Sequence, residues 1–206
     1  MPRKGTYNIN TVLKIIQRKQ NEKRTKSVTS PPAQTFDLCN GQESLQRLHF
    51  LVSSALEDWK ISYPILYKFA VMQISTGARV SELLRIHSKE ISPEGRILIR
   101  ALKGGNDRVE KIPELTPWLI KERSKSRYIF QDLTRFVIHH RYLEKGISAY
   151  FGKNSKRSTT HLFRHLVGLD MNQLKDSTHG IKTALGQKTD KAANYYKTQA
   201  RRENDQ

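Results

Sequence analysis

From Glu43 onward the apolar residues fall into helical registers. Leu45, Leu48, Leu51, Val52 and Leu56 line one face of a first helix, and a second, more uniformly apolar helix runs from about Pro64 to Ser75. RILIRAL (96–102), KGGND (103–107) and RVEKIP (108–113) then read as strand, Gly-containing turn and strand, a hairpin with Lys103 at its bend. From about Pro117 to Gln199 the periodicity is helical again, with breaks expected near Gly146, Gly152 and Gly180. There is no internal repeat. Helices, a small sheet, then more helices, with too few strands to build the main core, predict a mainly α fold with a small antiparallel β-sheet, an α+β arrangement.

Residues 1–42 follow a different pattern. Ile9, Val12, Leu13 and Ile16 form one narrow helical stripe with Lys14, Arg18 and Lys19 beside it, and NEKRTKSVTSPPAQT, polar, basic and broken by Pro31 and Pro32, reads as a linker. One such helix has no partner face of its own. The expectation is a basic N-terminal arm and linker over 1–42 and a folded domain over 43–206.

Charge sharpens this picture. Lys and Arg number 37 against 19 Asp and Glu, a formal charge of +18, of which the arm carries +6 and residues 43–206 carry +12. Most of the excess therefore belongs to the folded part, where phosphate neutralisation with counterion release is its obvious use. The expected partner is double-stranded DNA. A ribosome-associated or merely basic protein is the plainer alternative. The single cysteine, Cys39, allows neither an internal disulfide nor a clustered Cys zinc site, and fits a reducing compartment, cytoplasm or nucleoid. No apolar run approaches a membrane span, and MPRKGTYNIN lacks the apolar stretch of a signal peptide, so neither membrane insertion nor export by that route is expected.

Three segments set basic or nucleophilic side chains beside apolar runs, where an unpaired charge is costly to bury. In ISTGARVSELLRI (74–86), Gly77 permits a tight turn, Arg79 follows it, and Glu82 lies one helical turn on, able to hold the arginine. In TTHLFRHLVGLDM (159–171), His161 and Arg164 stand at i, i+3 on one expected helix face. In ALGQKTDKAANYYKT (184–198), Tyr195 and Tyr196 lie among small and basic residues. Taken singly, each is a weak signal, and Arg79 with Glu82 also reads as an ordinary helix-start ion pair.

In this order and spacing the three segments resemble the tyrosine recombinases, the family of phage integrases, Xer recombinases and Cre, over about residues 43–199. TGARVSELL is similar to the family's TGxRxxEL box, HLFRH to its HxxRH box and ALGQ to its LGH box; Gln187 lies 26 residues after His161, and Tyr196 nine after Gln187. KGGNDR is similar to the GKGxKxR strand turn, which matches Lys103 to the family's lysine. The resemblance implies the catalytic-domain fold of this family and a site-specific recombinase that cleaves and rejoins DNA through a 3′-phosphotyrosine. It also implies self-association into a synaptic multimer on DNA, with no cofactor, metal or small-molecule substrate.

The chemistry can be stated in physical terms. A phosphodiester repels nucleophiles, and its displacement builds further charge on the non-bridging oxygens, so catalysis relies on positioned cations. Arg79 and Arg164 supply planar forks suited to those oxygens. Tyrosine serves as nucleophile if its phenol loses its proton on attack. His161 and Lys103 are the groups left for proton transfer, and the resemblance implies Lys103 as general acid, His161 assisting at Tyr196, and Tyr196 as nucleophile.

His161 and His165 have the i, i+4 spacing of an HExxH zinc site, but Leu162 stands where its Glu belongs and no third ligand is evident. His139 and His140 read as helix surface or core edge, and Tyr195 as packing. Gln187 stands where the family usually has His; its amide donates a hydrogen bond but does not exchange a proton near pH 7. Forty-two residues are too few for the separate helical DNA-clamping domain of most members, so the chain is similar in extent to the short fimbrial invertases; ten residues follow Tyr196. The rival readings are a non-enzymatic DNA-binding accessory or regulatory protein on the same fold, and a strand-relaxing enzyme of the type IB topoisomerase kind.

Overall fold

A computed structural model describes residues 41–102, 104–148, 159–173, 177–191 and 193–194, all within one compact unit, Asp37–Gln206. The arm expected over residues 1–42 therefore lies almost wholly outside the described residues, as do Lys103, Tyr195 and Tyr196.

Helix α1 spans Gly41–Ser62. Leu48, Val52, Ala55 and Trp59 are buried at helical spacing, with Leu51 and Leu56 half-buried beside them, so the expected face is the packed one and extends a turn further to Trp59. Helix α2, Pro64–Thr76, opens with a proline at its first position, where the missing N–H costs nothing, and is buried on most sides. It ends where Gly77 adopts φ +58° and returns its N–H to the Gln73 carbonyl. A side chain at Gly77 would meet Leu185 Cδ2 at 2.5 Å, so both backbone angle and space demand glycine.

Helix α3 (Val80–Leu83) follows, then strands β1 (Arg96–Ile99) and β2 (Arg108–Lys111), paired antiparallel with Ile97 opposite Glu110 and Ile99 opposite Arg108. The hairpin is the expected one with shorter strands. Ile97 and Ile99 are fully buried; beyond Ile99 the Asp107 carboxylate accepts the Ala101 N–H and replaces the ladder. Beyond Lys111, Pro113 has no N–H to continue it and opens a 3-10 turn, Pro113–Leu115.

Helices α4 (Thr116–Arg123) and α5 (Arg135–Glu144), a 3-10 turn (Thr159–His161), α6 (Leu162–Gln173) and α7 (Thr178–Ala184) complete the described elements. Gly146, at φ +71°, follows α5 as expected. Gly180 does not break the chain: it sits inside α7, where its N–H donates to the capping Ser177 hydroxyl. A glycine costs only about 1 kcal/mol there, which the cap and the burial of Ile181 offset. The helices change just ahead of Gly180, since α6 ends at Gln173 and α7 begins at Thr178, and α7 in turn ends before Gly186, at φ +58°. Gly152 lies outside the described residues.

The core joins the two ends of the sequence through aromatic rings. Trp59 of α1 stacks on Tyr142 of α5 at 5.6 Å, and Tyr142 meets Phe163 of α6 at 4.6 Å. A smaller cluster of Ile181, Leu185 and Ala193 packs against Val167, Leu169 and Met171 and holds α7 to α6. Among the described residues no helix is long and apolar enough to cross a membrane.

Candidate active site

The turn between α2 and α3 carries Arg79, and it is held from several directions. Thr76 bonds back to the Met72 carbonyl and accepts the Ala78 N–H. Arg79 is the N-cap of α3, in extended backbone, and Glu82 closes a reciprocal cap by accepting the Arg79 N–H at 2.8 Å. The other carboxylate oxygen of Glu82 accepts from Arg79 Nη1 at 2.6 Å. Glu82 thus holds both the backbone and the guanidinium of Arg79. Its side chain is fully buried while that of Arg79 remains 22% exposed, so the arginine is fixed from below and open above. Burial works against the Glu82 charge, but the Arg79 N–H, the guanidinium and the Leu102 N–H outweigh it and hold the carboxyl below its usual pKa.

Arg164, from the first turn of α6, reaches the same place. Its Nη1 donates to the Gly77 carbonyl at 2.6 Å and its Nη2 to the Leu185 carbonyl at 2.7 Å. One guanidinium therefore bridges the turn before Arg79 and the turn before Gln187, and the two carbonyl bonds fix its plane. Gln187 is buried, and its Oε1 has no partner among the described residues. His161 closes the 3-10 turn, and α6 begins at Leu162, so His161 and Arg164 straddle the junction of two helix types instead of sharing one α-helical face. A 3-10 turn leading into an α-helix still brings residues three apart onto one side.

The hairpin bend approaches these turns. Leu102 N–H points to Glu82 Oε1 at 3.3 Å, and a side chain at Gly105 would fall 2.6 Å from the Gly186 carbonyl oxygen. Both described chain neighbours of Lys103 are thereby placed: Leu102 against Glu82, and Gly104 facing Lys188 Nζ, 3.9 Å from where its side chain would begin. Arg79, Glu82, Arg164 and Gln187 come together around the Gly77 and Gly186 turns. Among the described residues no three His, Cys, Asp or Glu side chains gather as a metal-binding group.

A helical scaffold with one hairpin among the described residues, two arginines held on one turn, and the order of the boxes along the chain agree with the family match: the phage integrase family model covers residues 52–203. The chain belongs to the phage integrase family. Among solved structures, the catalytic domain of bacteriophage HP1 integrase is similar at 20% identity and TM-score 0.55, over 73% of this chain and 84% of that one. XerH site-specific recombinase bound to difH, in a pre-cleavage complex, is similar at 19% identity and TM-score 0.51, over 76% of this chain and 49% of that one. XerA recombinase is similar at 19% identity and TM-score 0.51, over 86% and 65%. This chain thus spans most of the HP1 domain but about half of XerH, and the likeness is one of fold. No curated protein sequence matches it.

Two residues of this phage integrase family chain were not singled out by sequence pattern. Gln73, fully buried, donates to the Ala78 carbonyl at 3.4 Å and the Thr160 carbonyl at 3.0 Å, and accepts from the Tyr142 hydroxyl at 3.1 Å. It ties the residue before Arg79 to the residue before His161. Its one signal in the sequence is a polar side chain in a helix otherwise buried by apolar ones. Arg108, at the start of β2, donates from Nη2 to the Thr76 carbonyl at 3.1 Å. Glu110 lies 3.3 Å from its Nε, yet Nε and Nη1 are buried without an aligned acceptor among the described residues. Desolvation lowers the Arg108 pKa and raises that of Glu110. Its signal is the closing arginine of KGGNDR.

Proposed function

We propose that this phage integrase family member is a site-specific DNA recombinase, with an arm and linker to residue 42 and a catalytic domain from 43. The observation that carries this reading is the convergence of Arg79 and Arg164 on the Gly77 turn, each fixed before any ligand arrives. Donors set in advance need no reorganisation when charge develops on the scissile phosphate.

The residues then divide the reaction as follows. Arg79 and Arg164 bind the non-bridging oxygens, with the Gln187 amide beside them. Tyr196 Oη bonds to phosphorus as the P–O5′ bond breaks; His161 takes the phenolic proton and Lys103 gives a proton to O5′. A 3′-phosphotyrosine remains, and attack by a different 5′-hydroxyl reverses the steps and rejoins the strand. The surrounding positive surface holds duplex DNA, and paired sites imply a multimer of the chain.

The test uses nicked duplexes from a randomised library, incubated with the full chain and recovered as detergent-resistant protein–DNA adducts. The wild type is expected to enrich a defined site and Tyr196→Phe to form no adduct. Absence of any wild-type adduct alongside tight duplex binding would overturn the recombinase reading in favour of a DNA-binding protein without catalysis.

A further inference from the structure

Two buried groups at the site lack partners, and they are complementary. Gln187 is buried, and of the two ends of its amide the oxygen, Oε1, has no donor among the described residues. Arg108, its side chain 11% exposed, buries Nη1 with no acceptor among them. A buried polar atom left unpaired is costly, and more so on a charged group. Nη1 lies against Gly186, the chain neighbour of Gln187, 2.7 Å from where a side chain there would begin. One group offers a donor and the other an acceptor, at the same glycine turn.

The backbone around them is already fixed. The Gln187 N–H donates to the Lys182 carbonyl at 2.8 Å and the Gly186 N–H to the Thr183 carbonyl at 3.0 Å, while Arg164 holds the Leu185 carbonyl. Arg108 is anchored at one point, Nη2 on the Thr76 carbonyl at 3.1 Å, and a planar fork bonded at one nitrogen leaves the other little freedom. What stays free is the last torsion of Gln187, which in amides is broad and roughly two-fold. Its two settings differ for a phosphate: the NH2 end donates to a non-bridging oxygen, and the carbonyl end repels it.

We infer that Arg108 is the positioning residue of Gln187: Nη1 donates to Oε1 once the amide turns to meet it, and that bond commits the NH2 end to the scissile phosphate. The inference rests on the recombinase reading above. Without the guanidinium, the amide is free to present either end, and only one of them favours the transition state.

A double-mutant cycle separates this role from support of the Thr76 turn. Single-turnover adduct formation and duplex binding are measured on the nicked site recovered from the library, for wild type, Arg108→Met, Gln187→Ala and the double variant. Each single variant should slow adduct formation by about thirtyfold with binding held within about threefold. The double variant should stay within about threefold of the slower single one, because the second substitution removes a bond already lost. If Arg108 acts only through Thr76, the two losses are independent and the double variant falls by about a thousandfold. That result overturns the inference and leaves the recombinase reading standing, as does a wild-type rate for either single variant. Arg108→Lys keeps the charge but reaches one point; it replaces Arg108→Met in the cycle if that protein does not fold, with the same expected and overturning results. Absence of any wild-type adduct overturns the recombinase reading itself, and the inference with it.

Discussion

Arg164 Nη1 stands 2.6 Å from the carbonyl oxygen of Gly77, two residues before Arg79. One arginine of the candidate site is thus part of the support of the other's turn, and Leu185, held by the same guanidinium, brings Gln187 to the same place. The arrangement is rigid because it is built from backbone carbonyls, which move only with their elements. It also shows why glycine suits position 77: its φ of +58° is one that L side chains rarely adopt, and a Cβ there would press on the Leu185 side chain.

The first prediction separates catalysis from affinity. A chain carrying +18 keeps most of its phosphate contacts when one cation is lost. Arg79→Ala should hold duplex binding within about tenfold, some 1.4 kcal/mol, while losing most cleavage. Arg164→Lys should do the same, because a lysine cannot bridge Gly77 and Leu185 at fixed geometry. Binding isotherms and single-turnover cleavage on one duplex check both, and a parallel fall in the two would remove the clamp role.

Glu82 gives a pH dependence of known sign. Its folded pKa lies below the usual 4.5, so its contribution to stability is fully present above that value and is lost as the pH falls through the folded pKa. Glu82→Gln should flatten that acid limb of the stability curve and, by leaving Arg79 half-held, cost about 3 kcal/mol at pH 7. Denaturant unfolding at several pH values measures it; an unchanged acid limb would show that Glu82 is not ionised as described.

Gln73 links three elements through a single amide. Gln73→Leu keeps the volume but leaves the Thr160 carbonyl and the Tyr142 hydroxyl without this partner, at about 1–3 kcal/mol. Thermal melting should show that loss, together with a fall in cleavage larger than the change in binding, because Ala78 and Thr160 adjoin Arg79 and His161.

Most of the helical frame was legible because burial imposes the 3.6-residue period, and Leu48, Val52, Phe69 and Ile181 each face the core. The break expected near Gly180 falls just ahead of it, between helices that end at Gln173 and begin at Thr178, and the residue that sets it is the capping Ser177, with the glycine lying inside the new helix. Arg79 with Glu82, and Arg164 with the turns that precede Arg79 and Gln187, are neighbours in the fold, and the order of the boxes along the chain is what first drew them together as candidates. Gln73 and Arg108 were not legible, because their roles depend on partners 87 and 32 residues away. Sequence pattern marks polarity within an apolar run but not the carbonyl that it satisfies.

The arm gives a test of domain organisation. Its apolar stripe and its cations suit a partner surface and DNA, so removal of residues 1–30 should leave a folded domain whose duplex binding is weaker and less sensitive to salt. Melting and a salt titration decide this. Unfolding of residues 43–199 would assign the stripe to the core, and an unchanged salt slope would show that the arm does not meet DNA.

The adjacent tyrosines give the last test. Tyr195 and Tyr196 lie outside the described residues, and as chain neighbours they project in different directions, so one of them is expected to meet the phosphate. The nine-residue step from Gln187 selects Tyr196, and the Arg164 bridge to Leu185 fixes where that step begins. Tyr196→Phe should abolish the covalent adduct on a nicked duplex while leaving binding intact, and Tyr195→Phe should still form it. Because arginines and a lysine are assigned the charge and proton work, the adduct should also form in EDTA. Adduct formation by Tyr196→Phe would move the nucleophile to another residue, and a requirement for divalent metal would break the assignment of charge stabilisation to Arg79 and Arg164.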